Sequence, residues 1–268
     1  MDIFVTGYGA ISCIGLNVQE HFDSLLNEKS GIKKGLHPHS ERFLVGEIPL
    51  TNQQLIDRFQ LKANGSRTGL LACIAAKEAF NGQTEHPELK TGIISGTSVG
   101  GMDISEIEYR SFLKEQTHDL SKYKEHLSGN AAEEIANELG IDGFLNTIST
   151  ACSSAANAIM MGARMMLQGQ LDRVVVGGTD ALSEFTINGF RSLMIFDENW
   201  CRPFDESRKG LNLGEGAGFI VLENSKSLAI TENTPLAKLK GWSNASDAYH
   251  QTASSPEGYG ATLSITEA

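Results

Sequence analysis

Thr147-Ile-Ser-Thr-Ala-Cys152-Ser-Ser-Ala-Ala156 is the stretch on which the reading of this sequence turns. Leu145–Ser149 reads as a short strand and Ser153–Gly169 as a helix. Ala156, Ile159, Met160, Ala163, Met166 and Leu167 recur at helical spacing and mark one apolar face, with Asn157, Arg164 and Gln168 elsewhere. A strand therefore runs through a sharp turn into a helix, with a cysteine at the first helical turn and small residues around it. The unpaired N–H groups and positive dipole end of such a helix favour a thiolate, the nucleophilic form of the thiol. That is the setting for covalent catalysis through a thioester. Free cysteines are also often small buried hydrophobes, and this stretch alone leaves both readings open. Cys13, Cys73 and Cys201 lack the strand–Cys–helix setting and read as structural.

Working outward, Ile3–Thr6, Gly92–Ser95, Val174–Val176, Phe219–Leu222 and Leu236–Leu239 read as strands. Asn17-Val-Gln-Glu20 resembles a capping box. It opens a helix to about Asn27 with Phe22, Leu25 and Leu26 turned inward. Ser66–Phe80 reads as a helix rich in Ala and Leu. Asn130-Ala-Ala-Glu133 is a second capping-box candidate, and its helix ends near Gly140. Gly35 and Pro38 mark a loop. Strands that alternate with helices predict an α/β fold with a largely parallel sheet covered on both faces. The 28 glycines cluster between apolar runs, which suits tight strand–helix turns rather than a linker.

The formal charge of −11 makes nucleic acid a poor partner, because that role needs a basic footprint. Met1-Asp2 leads directly into an apolar strand with no signal-like region, and no apolar run reaches membrane-spanning length. The four cysteines form no CxxC or Cys/His cluster, so no structural zinc is expected, and a reducing, cytoplasmic location is the default. The Gly96–Gly101 loop has neither the Lys-Ser/Thr of a P-loop nor the GxGxxG spacing, which argues against a phosphate or dinucleotide site.

Ser149-Thr-Ala-Cys-Ser-Ser154 resembles the active-site signature of the elongating β-ketoacyl-[acyl carrier protein] synthases. Other blocks resemble that family in the same order. They are Val5-Thr-Gly-Tyr-Gly-Ala-Ile-Ser12, Gly96-Thr-Ser-Val-Gly-Gly101, Val175-Val-Gly-Gly-Thr-Asp-Ala181, Arg202-Pro-Phe-Asp-Glu-Ser-Arg-Lys-Gly210, Leu213-Gly-Glu-Gly-Ala-Gly218 and Ser246-Asp-Ala-Tyr-His250. The resemblance implies a thiolase-like layered α/β/α fold, of which this chain holds the first of two similar halves. Residues 1–250 would form that half and 251–268 the start of the next. It also implies a homodimer, and an acyl carrier protein that delivers acyl and malonyl thioesters. Cys152 would take the acyl chain, with its backbone N–H in the oxyanion hole. Decarboxylative Claisen condensation with the malonyl group would follow, and the resemblance implies no metal and no cofactor.

Val99 and Phe190 match positions that line the acyl pocket in that family, although core packing is the commoner fate of such residues. Thr252 is placed near the tunnel mouth. Arg58, Lys62 and Arg67 are candidates for carrier contact, against the alternative of a solvated charged face. The family's two catalytic histidines and its second oxyanion donor lie in the other half. His21, His37, His39, His86, His118, His126 and His250 match no catalytic position. These residues alone are therefore expected not to condense, whether the chain is naturally short or has been shortened. A non-catalytic dimerisation partner of a full-length synthase is the alternative, and the presence of Cys152 weighs against it. A thiolase or other acyltransferase relative is a third, opposed by the Arg202–Gly218 block.

Overall fold

Each apolar run expected as a strand forms one, and four of the six extend beyond the expected bounds, while Leu145–Ser149 is shifted by one residue and Leu236–Leu239 is shortened by one. The structure is a computed structural model and describes residues 2–36, 40–115, 119–250 and 253–268. β1 spans Ile3–Ser12, well past the expected end at Gly7. β2 (Lys33–Lys34) and β3 (Leu44–Val45) pair with each other. β4 (Thr91–Gly96), β5 (Phe144–Ile148), β6 (Arg173–Asp180), β7 (Gly216–Asn224) and β8 (Ala237–Leu239) follow. The main sheet runs β5-β4-β6-β7-β1-β8.

The sheet is mixed rather than largely parallel. β4 runs parallel to β5 and β6, but the β6–β7, β1–β7 and β1–β8 pairs are antiparallel. Alternation of strand and helix predicted crossovers. The 181–215 connection instead returns to the sheet end where β6 stops, and only tertiary packing decides that direction. This excursion therefore stays beside the C-terminal ends of β4, β5 and β6.

Two clusters of side chains cover the two faces, and strand alternation sorts them. Ile93, Val175 and Val221 pack under helix α3 (Arg67–Phe80) on one face. Ile94, Val174, Val176 and Leu222 pack under α6 (Ser154–Leu167) on the other. Adjacent residues of one strand thus enter opposite cores. Ser66 caps α3 by accepting from the Gly69 N–H. α3 is buried nearly all round because α5 (Asn130–Leu139) covers its outer side. Gly140 ends α5 in the left-handed conformation, as expected of a C-terminal glycine.

Three local expectations are corrected. α1 (Val18–Leu26) has the predicted Asn17 cap, but Glu20 accepts from the Leu16 N–H, and Phe22, Leu25 and Leu26 are exposed. Polar contacts hold this helix, including His21 to Ser12 Oγ and Glu78 to the Val18 N–H. Asn130 does not cap α5. It is the first helical residue, and its side chain donates to Glu125, which the preceding 3₁₀ helix (Leu120–His126) brings alongside. On α6 the buried positions are Ser154, Asn157, Ala158, Gly162, Ala163 and Met166, while Ala156 and Leu167 are exposed. A Cβ at Gly162 would come within 2.8 Å of Val176 Cγ1, so the smallest residues set which side meets the sheet.

The remaining helices are α2 (Asn52–Phe59), α4 (Met102–Glu115), α7 (Glu184–Ser192), α8 (Ser225–Thr231) and α9 (Tyr259–Glu267). None of the helices in the described residues is long and apolar enough to cross a membrane.

Candidate active site

Cys152 stands on the turn between β5 and α6, exposed to solvent. It lies one residue before the cap position Ser153, just outside the helix rather than in its first turn. Ala151 has φ +52°, a left-handed conformation uncommon for a residue with a Cβ. Such backbone persists where its surroundings over-determine it. Here Ser154 Oγ accepts from the Thr150 N–H (2.9 Å) and donates to the Ala151 carbonyl (2.7 Å). Ser153 Oγ donates to the Thr150 carbonyl at 2.8 Å. The serines around the cysteine therefore build the turn that presents it. A sharp strand–nucleophile–helix turn is the device that hydrolases with a G-x-S-x-G motif use to expose a catalytic serine.

Glycines let this turn sit on the sheet end. Gly96, Gly178 and Gly218 are register partners across β4, β6 and β7. A Cβ at Gly96 would lie 2.5 Å from the Ser154 carbonyl carbon, and one at Gly178 would lie 2.7 Å from Ala155 Cβ. Three glycine-bearing blocks far apart in sequence thus converge beneath the first turn of α6. They leave a cleft of about 310 Å³ lined by Ala151, Cys152, Ala155, Asp180, Gly214 and Gly218, among others. Among the described residues, no histidine lines it.

Asp180 went unassigned in the sequence reading. Its Oδ1 accepts from Thr97 Oγ1 (2.7 Å), the Ser98 N–H (2.8 Å) and the Val99 N–H (3.1 Å). One carboxylate at the end of β6 thereby fixes the loop after β4 against the cleft. Thr179-Asp180 at a strand end was the available signal, but its partner loop lies about eighty residues upstream, as the spacing of 83 from Thr97 shows.

The other expected residues separate. Val99 is half-buried on the loop that Asp180 holds, and Phe190 is half-buried on α7; neither is among the residues lining the Cys152 cleft. Thr252 lies outside the described residues. Arg58 is exposed on α2. Lys62 is exposed and donates through Nζ to the Asn137 and Glu138 carbonyls at the end of α5.

Arg67 is a correction. It is buried, and its guanidinium pairs with Glu215 through Nε (2.8 Å) and Nη2 (2.6 Å). It also donates to the Leu50 and Ile48 carbonyls and to Asn52 Oδ1. Glu215 in turn accepts from the Ile48 and Leu182 N–H groups. The pair ties the start of α3 to the glycine block before β7, so Arg67 is not a surface contact.

Burial pushes the Cys73 thiol well above its ordinary pKa, and burial also raises that of Cys13. Both are thus poorer sources of thiolate, in keeping with structural roles. His21 is held between Ser12 Oγ and the Asn17 carbonyl, and His126 contacts Ser105 Oγ. Among the described residues, no group of three His, Cys, Asp or Glu side chains could hold a metal ion.

The family profile for the β-ketoacyl synthase N-terminal domain matches residues 1–227. The chain belongs to the β-ketoacyl synthase family. It is 30% identical over 282 residues to 3-oxoacyl-[acyl-carrier-protein] synthase 2 of Staphylococcus aureus strain COL, spanning 99% of this chain and 68% of that protein. It is 31% identical over 267 residues to nodulation protein E of Rhizobium meliloti strain 1021, spanning 96% and 66%. A chain of the solved complex of the ketosynthase ApeO with its chain length factor ApeC from Xenorhabdus doucetiae is similar with a TM-score of 0.80 and 27% identity, over 99% of this chain and 68% of that one. The fold is thiolase-like α/β. The family comprises condensing enzymes of fatty acid and polyketide synthesis, acyltransferases by reaction type.

Proposed function

We propose that Cys152 is the nucleophile of this β-ketoacyl synthase and that acyl carrier protein supplies its acyl group. The observation that carries the reading is the exposed cysteine on a strained, serine-locked turn above a glycine-lined cleft. The thiolate attacks the carrier thioester carbonyl, the carrier thiol departs, and the acyl group remains on Cys152 as a new thioester. The Cys152 N–H stabilises the oxyanion that forms on the way. In the complete reaction the malonyl thioester loses carbon dioxide and its enolate attacks the acyl-Cys152 carbonyl, which forms the carbon–carbon bond, breaks the thioester C–S bond and releases the Cys152 thiolate.

These 268 residues are assigned the acylation step and not the condensation, which calls for two histidines and a second oxyanion donor from the other half of the fold. Val99 and Phe190 are retained as acyl-pocket residues, with Thr252 at its mouth. Arg58 and Lys62 are retained as carrier contacts, and a homodimer as the working assembly. ApeO is found with a chain length factor, which favours a second reading, a non-catalytic partner subunit. The exposed Cys152 weighs against it, since a scaffold needs no presented thiol.

Incubation with acyl and malonyl carrier protein tests the reading by intact and peptide mass spectrometry alongside carbon dioxide release. An acyl adduct on Cys152, lost in Cys152→Ser, is expected without elongated product. No adduct, or an adduct on Cys201, overturns the nucleophile assignment. Turnover comparable to a full-length synthase overturns the need for the absent histidines.

A further inference from the structure

We infer that Asn157 is a positioning residue for Cys152 and is itself oriented by Asn244. The inference rests on the assignment of Cys152 as nucleophile and extends it to the groups that aim the thiol.

Asn157 lies on α6 and is 8% exposed. A buried amide is unfavourable unless its donors and acceptor are met. Its Nδ2 donates to Thr150 Oγ1 at 2.8 Å and to Ser153 Oγ at 3.3 Å. Those two residues flank Ala151 and Cys152, so one amide group grips both sides of the strained turn. Ser153 Oγ also lies 3.1 Å from Thr150 Oγ1, sharing its single proton between that oxygen and the Thr150 carbonyl, which closes a three-residue network around the cysteine. Ser154 holds the backbone of the same turn from beneath. Asn157 holds its side-chain layer from the helix.

The other end of the amide is also tied. Asn157 Oδ1 accepts from Asn244 Nδ2 at 3.0 Å, across 87 residues of chain. Asn244 sits in a segment without regular structure after β8. With its oxygen engaged there, the amide can present only its nitrogen to the turn. Asn157 and Asn244 also line a separate cleft of about 690 Å³ with Thr150, Met160, Met161 and Met165, so one side of the amide has room beside it.

The rate of Cys152 alkylation by iodoacetamide, read by peptide mass spectrometry, tests this. Asn157→Leu keeps the shape and removes both hydrogen-bonding ends. The Cys152 rate is expected to fall about three- to tenfold, the loss of roughly one net hydrogen bond, with Cys201 unaffected and Tm moved by no more than a few degrees. Asn157→His restores a donor, because its Nδ1 reaches as far as the amide nitrogen and its ring can extend into the adjoining cleft. It is expected to recover the rate to within about twofold, by the same reckoning. Asn157→Leu reacting like the wild type overturns the inference, and so does Asn157→His remaining as slow as Asn157→Leu, which would reduce Asn157 to a packing residue. Asn244→Ala should slow Cys152 in the same direction, and a wild-type rate in that variant removes Asn244 from the mechanism. If Cys152 is not the preferred thiol of the wild-type chain, the nucleophile reading fails rather than this one.

Discussion

Replacing Arg67 with methionine separates the surface role read from sequence from the buried role seen in the fold. The guanidinium makes two bonds to Glu215 and three more to Leu50, Ile48 and Asn52. The side chains of Arg67 and Glu215 are 7% and 1% exposed, so water cannot replace the lost partner cheaply. Removing one member of a buried pair costs about 3–5 kcal/mol, because the other charge is left uncompensated. At about 2.1 cal/mol/K per residue, the unfolding entropy of this chain is roughly 0.56 kcal/mol/K. Arg67→Met should therefore lower Tm by about 5–9 °C, with a matching loss in urea titration. The double variant Arg67→Met, Glu215→Gln should recover part of it, since the Glu215 charge is then gone while those of Glu47 and Asp103 nearby still lack the guanidinium. A loss below about 1 kcal/mol, in the range of an exposed pair, would refute the buried-staple reasoning. A defect confined to carrier binding would return Arg67 to the surface role.

Two further perturbations probe a strand-end glycine beneath α6 and a buried carboxyl on α5. Gly178→Val adds bulk where even a Cβ meets Ala155 Cβ at 2.7 Å; overpacking should cost about 1–3 kcal/mol and displace the first turn of α6. Slowed Cys152 alkylation together with lowered Tm is expected, and unchanged values for both would show that the strand ends can yield. Burial, with the adjacent Glu125 charge, raises the Glu134 carboxyl from 4.5 to about 8. The folded protein then holds this proton more tightly than the unfolded chain, so its stabilising effect is full below 4.5 and is lost as pH rises through about 8. Urea titrations at several pH values should show a decline across that window worth no more than about 5 kcal/mol, flattened in Glu134→Gln. Identical pH dependence in the two proteins would exclude Glu134 as its source.

The legible part of the fold was local. Apolar runs located the six strands of the main sheet, and Ser66 and Gly140 marked helix ends where the structure has them. The cysteine turn was legible because strand, small residues, cysteine and helix are contiguous in the chain. β1 was read too short, because Gly7 and Gly9 resemble a turn. In the sheet they are places where α3 comes so close that a Cβ would meet the Ala79 or Ala75 carbonyl oxygen at about 2 Å.

What the residues determine by themselves is their periodicity, their propensity for turns and caps, and the chemistry available at one contiguous motif. Which partner covers an apolar or charged side chain is set by pairings between distant segments. Arg67 and Glu215 are 148 residues apart, Thr97 and Asp180 83, and Asn157 and Asn244 87. A charge looks solvent-facing in sequence until the chain brings its counterion to it, as with Arg67. An apolar helix face looks inward until the fold leaves it uncovered, as with Phe22 and Leu25 on α1. Strand direction follows the same rule, since the sheet end to which the 181–215 connection returns depends on what it packs against and not on its own pattern. The cysteine turn could therefore be read from ten consecutive residues, whereas the groups that hold it became visible only when the packed sheet brought them together.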